Sequence, residues 1–204
     1  MTLDGLEQAV RDAVPRRSRV NFIRYADDFI ITGKSKRLLD KQVKPVVIAF
    51  LEHRGLSLSE EKTSITHIKQ GFSFLGQTFR KQGNVLHITP AKEGVLALIR
   101  KVGSLSRKYV SAPMPALIQA LNQTLRGWGN YHRHVVSSAA FSRVDNYVYE
   151  QLWRTIRRRH PKKSRKWLAR KYWSRKGGRS IFSASAKTKQ GTRAYEVCRL
   201  SSIG

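Results

Sequence analysis

The sequence predicts an α+β chain, with short antiparallel hairpins and flanking helices in front and an α-helical half behind. Two observations carry that class. Period-two alternation and tight-turn residues end near Thr89-Pro90, and beyond them apolar residues recur at helical spacing. Charge divides at the same place: residues 1–90 hold 15 basic and 9 acidic side chains, net +6, whereas residues 91–204 hold 25 and 4, net +21. A chain of 204 residues accommodates one core or two small ones. The expected boundary is Val85 to Thr89, giving a hairpin-bearing region over 1–85, a helical region over 86–177 and a basic tail with short strands over 178–204.

Leu3, Leu6, Val10 and Val14 fall on one face of a helix over 3–14, with Thr2 as its N-cap and Pro15 as its stop. Residues 19–25 and 29–33 read as two apolar strands around Asp27-Asp28, and Phe22, Phe29 and Ile31 are expected to leave apolar surface uncovered. Ser35 then caps a helix carrying Leu38, Leu39, Val43, Val47, Phe50 and Leu51. Gly55 ends it, and Pro45 inside it is expected to kink or split it. Thr63 to Ile68 alternates as a strand does, Phe72 to Arg80 reads as a tight hairpin broken at Gly76, and Gln82-Gly83-Asn84 is a further turn. Helices follow over 91–109, 115–136, 139–159 and 164–173. In the last thirty residues, rich in Ser, Gly and Lys, only Ile181-Phe182 and Tyr195 to Leu200 have the pattern of ordered segments.

A net charge of +27 points to a polyanionic partner. Membrane binding of a basic segment usually needs a clean apolar helix face or a lipid anchor, and neither is visible, nor is any apolar run near the ~20 residues that span a bilayer. Residues 1–14 are amphipathic and carry three acids, unlike a signal peptide. The single Cys198 excludes an internal disulfide framework and a Cys-rich zinc module, and suits a reducing compartment.

Four stretches carry chemistry. In Tyr25-Ala26-Asp27-Asp28 two adjacent carboxylates sit at a hairpin tip, where they repel each other unless a cation relieves them. Mg²⁺ suits such a pair together with phosphate oxygens, which points to metal-assisted phosphoryl transfer; the competing reading is a plain Asp turn. Phe72-Ser73-Phe74-Leu75-Gly76 is a hairpin whose Gly76 permits close approach of a sugar-phosphate chain, although its Phe side chains fit packing better. Arg126-Gly127-Trp128-Gly129-Asn130-Tyr131-His132-Arg133-His134 places two glycines in a helix, which implies close packing against another backbone or RNA; the two His point to different faces. Trp153 to Arg179 holds thirteen Lys and Arg and no acid, interleaved with Trp153, Trp167, Tyr172 and Trp173. Cations neutralise phosphates and aromatic faces stack on unpaired bases, so folded RNA is favoured over duplex DNA. Trp153 and Trp167 are expected in the helical core.

With these segments in order the chain resembles the group II intron-encoded reverse transcriptase and maturase family over about residues 2–175. Tyr25 to Asp28 is similar to the family's palm-hairpin signature, Arg54-Gly55-Leu56-Ser57-Leu58-Ser59-Glu60-Glu61-Lys62-Thr63 to the block after it, and Phe72 to Gly76 to the primer-grip hairpin. Arg126 to Tyr131 and the basic helix after it resemble the thumb and maturase-specific domain, and Leu3-Asp4-Gly5-Leu6-Glu7 the tail of the block before the palm hairpin. The resemblance implies a partial polymerase palm followed by an α-helical thumb and maturase domain. It implies Asp27 and Asp28 as catalytic Mg²⁺ ligands, and Tyr25, Ala26, Phe74, Leu75 and Gly76 near the primer end. Arg126, Tyr131, Arg133, Arg154, Arg157, Arg158, Arg159, Lys162, Lys163, Arg165, Lys166, Arg170 and Lys171 are the expected RNA contacts.

Departures shape the functional expectation. The family's other metal-binding Asp and its Pro-Gln-Gly block lie on an earlier palm segment, and only 24 residues precede Tyr25. Asp4 and Asp12 lie on the predicted helix and substitute poorly. The chain is therefore expected to be the C-terminal piece of a larger protein: a maturase-type fragment binding intron RNA, assisting splicing and mobility, and inactive alone as a polymerase. The alternatives are a reverse transcriptase completed by a separate fingers/palm polypeptide, or a general basic nucleic-acid-binding protein. A DNA target or primer is a further expected partner, a membrane is not, and the expected compartment is the bacterial cytoplasm or an organelle.

Overall fold

Leu6 and Val10, one helical turn apart on α1 (Leu6–Asp12), are both fully buried. They meet Val43, Val47 and Leu51 in the core of the first of two units, which ends at Gly71; the second begins at Phe72. The computed structural model describes residues 3–188 and 191–203. Thr2, the expected helix cap, lies outside them, and Gly5 stands at the N-cap.

In the first unit, β1 (Asn21–Tyr25) and β2 (Asp28–Thr32) pair antiparallel, with Phe22 opposite Ile31 and Arg24 opposite Phe29. Phe22 and Phe29 stack with ring centroids 5.7 Å apart, and with Ile31 they pack half-buried on the core. The uncovered apolar surface lies instead on the opposite face, at Ile23 (53% exposed) and Tyr25 (64%), because strand side chains alternate between faces. Ser35 caps the next helix as expected, its hydroxyl accepting from the Leu38 amide at 3.2 Å. The helical run divides just before Pro45: α2 (Lys36–Leu38) widens into a π turn over Leu39–Val43, and Pro45 falls in the first turn of α3 (Lys44–Glu52), where a missing N–H costs least. The strand expected over Thr63 to Ile68 does not form. In this unit β1 and β2 pair only with each other, so among the described residues that segment has no strand to satisfy its backbone.

The second unit opens with the meander β3 (Phe72–Phe74), β4 (Gln77–Gln82) and β5 (Val85–Pro90). The segment expected as the boundary is thus β5, paired along its length with β4. Four helices follow close to the expected spans: α4 (Lys92–Lys108), α5 (Met114–His132), α6 (Ser138–Arg159) and α7 (Arg165–Tyr172). Phe141, Val144, Val148, Leu152 and Ile156 give α6 a continuous buried stripe. The tail is more ordered than its composition suggests: β6 (Trp173–Lys176), the ten-residue β7 (Arg179–Thr188) and β8 (Gly191–Glu196) form a second three-stranded sheet. Beyond it the chain docks on α5 and α6. Asn122 donates to the Glu196 carbonyl and accepts from the Cys198 amide, both at 2.7 Å, and the Asp145 carboxylate accepts from the amides of Leu200 (2.8 Å) and Ser201 (3.0 Å). Among the described residues no helix is long and apolar enough to cross a membrane.

Candidate nucleic-acid interface

In the first unit Tyr25 and Asp28 face each other across the hairpin, joined by the two-residue loop Ala26-Asp27, and all four are exposed. Ala26 has φ 52°, a left-handed conformation that non-glycine residues seldom adopt, so the turn holds strain where the sequence places its chemistry. Among the described residues no further carboxylate joins the pair from α1 or the segment before it. Asp4 accepts from Arg24 at 3.0 Å and Asp12 from Gln8 at 2.8 Å. Among the described residues no three His, Cys, Asp or Glu side chains come together to hold a metal ion. Two neighbouring carboxylates on one hairpin are a partial donor set, and by themselves they do not fit the clamp of a two-metal site.

In the second unit Leu75 (φ 48°) and Gly76 (φ 72°) form a two-residue turn with both centres left-handed, the geometry that suits hairpin twist. Tyr131, expected to contact RNA, serves this turn: its hydroxyl donates to the Leu75 carbonyl at 2.7 Å, while half of its surface stays exposed. Three residues singled out separately in the sequence, Leu75, Gly76 and Tyr131, therefore meet. Phe74 is half-buried, and Phe72 stacks on Phe79 with centroids 5.3 Å apart, so both Phe residues belong to the packing of the hairpin. His132 is buried and His134 exposed, as their spacing requires. Burial holds the His132 imidazole below its ordinary pKa, with the charge of His134 adding to the effect. Of the two glycines, only Gly129 is closely packed: a Cβ there would lie 2.7 Å from Ile203 Cδ1, whereas one at Gly127 would meet nothing within 4 Å.

The basic surface is built by the end of α6, the connecting turn and α7. Leu168 and Tyr172 are the buried side of α7, which leaves Arg165, Lys166, Arg170 and Lys171 exposed. Ser164 caps that helix, accepting from the Trp167 amide at 3.3 Å. With Arg154, Arg157, Arg158, Lys162 and Lys163 this makes nine exposed cations between residues 154 and 171; Arg126 and Arg133 on and after α5 are exposed too. Arg159 does not belong with them. Its guanidinium turns inward and donates to the Tyr109 carbonyl at 2.7 Å, its Nε is buried with no partner among the described residues, and burial lowers its pKa.

The aromatics also divide differently from expectation. Trp153 packs against the core and stacks on Trp173 with centroids 4.4 Å apart. Trp167 instead is 36% exposed, with the ammonium groups of Lys163 and Lys171 at 5.3 and 4.8 Å from its ring centre. It lies about 100° around the helix from Leu168, off the buried Leu168–Tyr172 face, a displacement readable from helical spacing. The residue missed altogether is Glu150, among the described residues the one carboxylate lining the cleft beside this surface, 3.6 Å from Arg154.

Residues 1–79 match the reverse transcriptase (RNA-dependent DNA polymerase) family, and residues 95–173 match the group II intron maturase-specific domain. Among similar proteins is the COX1/OXI3 intron 2 protein of Saccharomyces cerevisiae, 30% identical over 112 residues, which are 52% of this chain and 12% of that protein. Another is the group II intron-encoded protein LtrA of Lactococcus lactis subsp. cremoris, 40% identical over 62 residues, 30% of this chain and 10% of that protein. The chain matches about a tenth of the length of these relatives.

Proposed function

We propose that this chain, whose residues 1–79 match the reverse transcriptase family and 95–173 the group II intron maturase-specific domain, binds folded intron RNA and assists its splicing and mobility. The observation that carries the reading is the α6–α7 surface. Nine exposed cations between residues 154 and 171, with no acid among them, would repel one another unless a polyanion lay across them. Exposed Trp167 adds an aromatic face of the kind on which unpaired bases stack, a feature that suits folded RNA better than a duplex.

Asp27 and Asp28 are, on this reading, part of the Mg²⁺ site of a polymerase palm, with Tyr25, Ala26, Phe74, Leu75 and Gly76 near its primer end. A second reading, a reverse transcriptase completed by a separate fingers/palm polypeptide, is favoured by one observation. Among the described residues β1 and β2 pair only with each other, and Ile23 and Tyr25 stand exposed on them, as on a sheet able to accept another strand. The bacterial cytoplasm or an organelle is the compartment this function requires. The test is a mobility-shift competition with labelled group II intron RNA. Excess duplex DNA of equal length is expected to leave the complex standing, and duplex DNA competing as well as unlabelled intron RNA would overturn the proposal.

A further inference from the structure

Between α6 and α7 lies a cleft of about 640 Å³ whose lining includes Tyr149, Glu150, Trp153, Arg154, Arg157 and Arg165. We infer that this cleft receives one unpaired guanine of the bound RNA and that Glu150 reads its Watson–Crick edge; the inference rests on the RNA-binding reading above.

The argument starts from charge. Residues 91–204 contain four acids, and three have structural work. Glu93 lies in the first turn of α4, where a negative charge meets the positive helix end. Asp145 holds the amides of Leu200 and Ser201, and Glu196 pairs with Lys176 at 3.3 Å. Among the described residues Glu150 has only the loose pair with Arg154 at 3.6 Å, both side chains more than half exposed, and such a pair adds little to stability. On a phosphate-binding face a bare carboxylate repels the ligand, unless it meets hydrogen-bond donors that the ligand brings. An ionised carboxylate is acceptor-only and takes two donors side by side. Among the RNA bases guanine alone presents two adjacent donor groups, N1–H and the 2-amino group, on that edge.

The wall of the cleft suits a purine. Trp173 stacks on Trp153 at 4.4 Å and 18°, the Arg165 guanidinium lies 5.1 Å from the Trp153 ring centre, and Tyr149, 44% exposed, touches both indoles edge-on. A base entering in place of that exposed guanidinium extends the Trp173–Trp153 stack by one layer. It also frees Arg165 to join Arg157 on the base's own phosphate.

The test uses the full chain and fluorescein-labelled uridine 12-mers carrying one central guanine, adenine or inosine, read by anisotropy. The guanine oligomer is expected to bind on the order of ten-fold tighter than the adenine one, with inosine between them because it lacks the 2-amino group. Glu150→Gln, which keeps the shape but offers one donor and one acceptor, should erase the difference. Arg154→Gln breaks the ion pair but leaves Glu150, so it should weaken all three oligomers and keep their ratio. Equal affinity for guanine and adenine, or a guanine preference that survives Glu150→Gln, overturns the inference. If either occurs while binding stays steeply salt-dependent, only the guanine site falls; no binding of any oligomer or of intron RNA at low salt removes the RNA-binding reading with it.

Discussion

Alanine at Gly127 and at Gly129, introduced one at a time, should differ in stability, the first gaining and the second not. Both positions lie inside α5, two residues apart, so alanine brings each the same helix-propensity gain, about 1 kcal/mol. At Gly127 nothing lies within 4 Å of the new Cβ, and that gain is the whole effect. At Gly129 the Cβ would sit 2.7 Å from Ile203 Cδ1 and 2.9 Å from Leu200 Cδ2, closer than carbon atoms approach. Leu200 is fully buried and cannot withdraw, while the half-buried Ile203 gives way in part. Overpacking of this kind costs about 1–3 kcal/mol. Gly129→Ala should therefore range from neutral to about 2 kcal/mol destabilised, and the gap between the two variants should be about 1–3 kcal/mol. Urea unfolding of the full chain measures this from the two midpoints, provided the slopes agree. If the variants shift together, the docking of the C-terminal turn on α5 is wrong.

Two other outcomes follow from single side chains. Burial depresses the His132 pKa, so the folded state favours the neutral ring; its contribution is complete above the unfolded value of about 6.5 and is lost as pH falls through the folded one. Urea midpoints should decline as pH falls below about 6.5, and the decline should be shallower in His132→Gln; an unchanged slope removes His132 as the cause. Asp27→Ala should leave RNA affinity unchanged, since the carboxylate hairpin belongs to the first unit and the basic surface to the second; a several-fold change in filter binding would contradict that separation.

The helices were legible because burial imposes a period: Leu6 and Val10, and the Phe141–Ile156 stripe, are buried where their spacing places them. The hairpin turns were legible from local chemistry at Asp27 and Gly76. Long-range partners were not. Among the described residues Thr63 to Ile68 alternates like a strand yet has none to pair with, and β7 was visible only at Ile181-Phe182 because Ser, Ala and Lys give the rest of the strand little apolar signal. Composition marks out the basic segment, but it cannot tell which of three successive arginines on a helix turns inward. Arg159 does so because its reach meets the Tyr109 carbonyl, fifty residues away in sequence. Glu150 escaped notice because it lies just outside the acid-free run, and only the fold brings it beside Arg165 at the cleft.

The central claim, that the α6–α7 surface binds RNA through phosphates, is tested most directly by filter binding of structured intron RNA across a salt series. If the surface neutralises about six to ten phosphates, affinity should fall by roughly 10³ to 10⁵ between 50 and 200 mM salt. Replacing Arg157, Arg158, Lys162, Lys163 and Arg165 with Gln, while leaving the inward-turned Arg159 in place, should flatten the slope of log affinity against log salt by several units with helicity intact. A Gln variant that binds as tightly as the parent, with the same slope, would contradict the account.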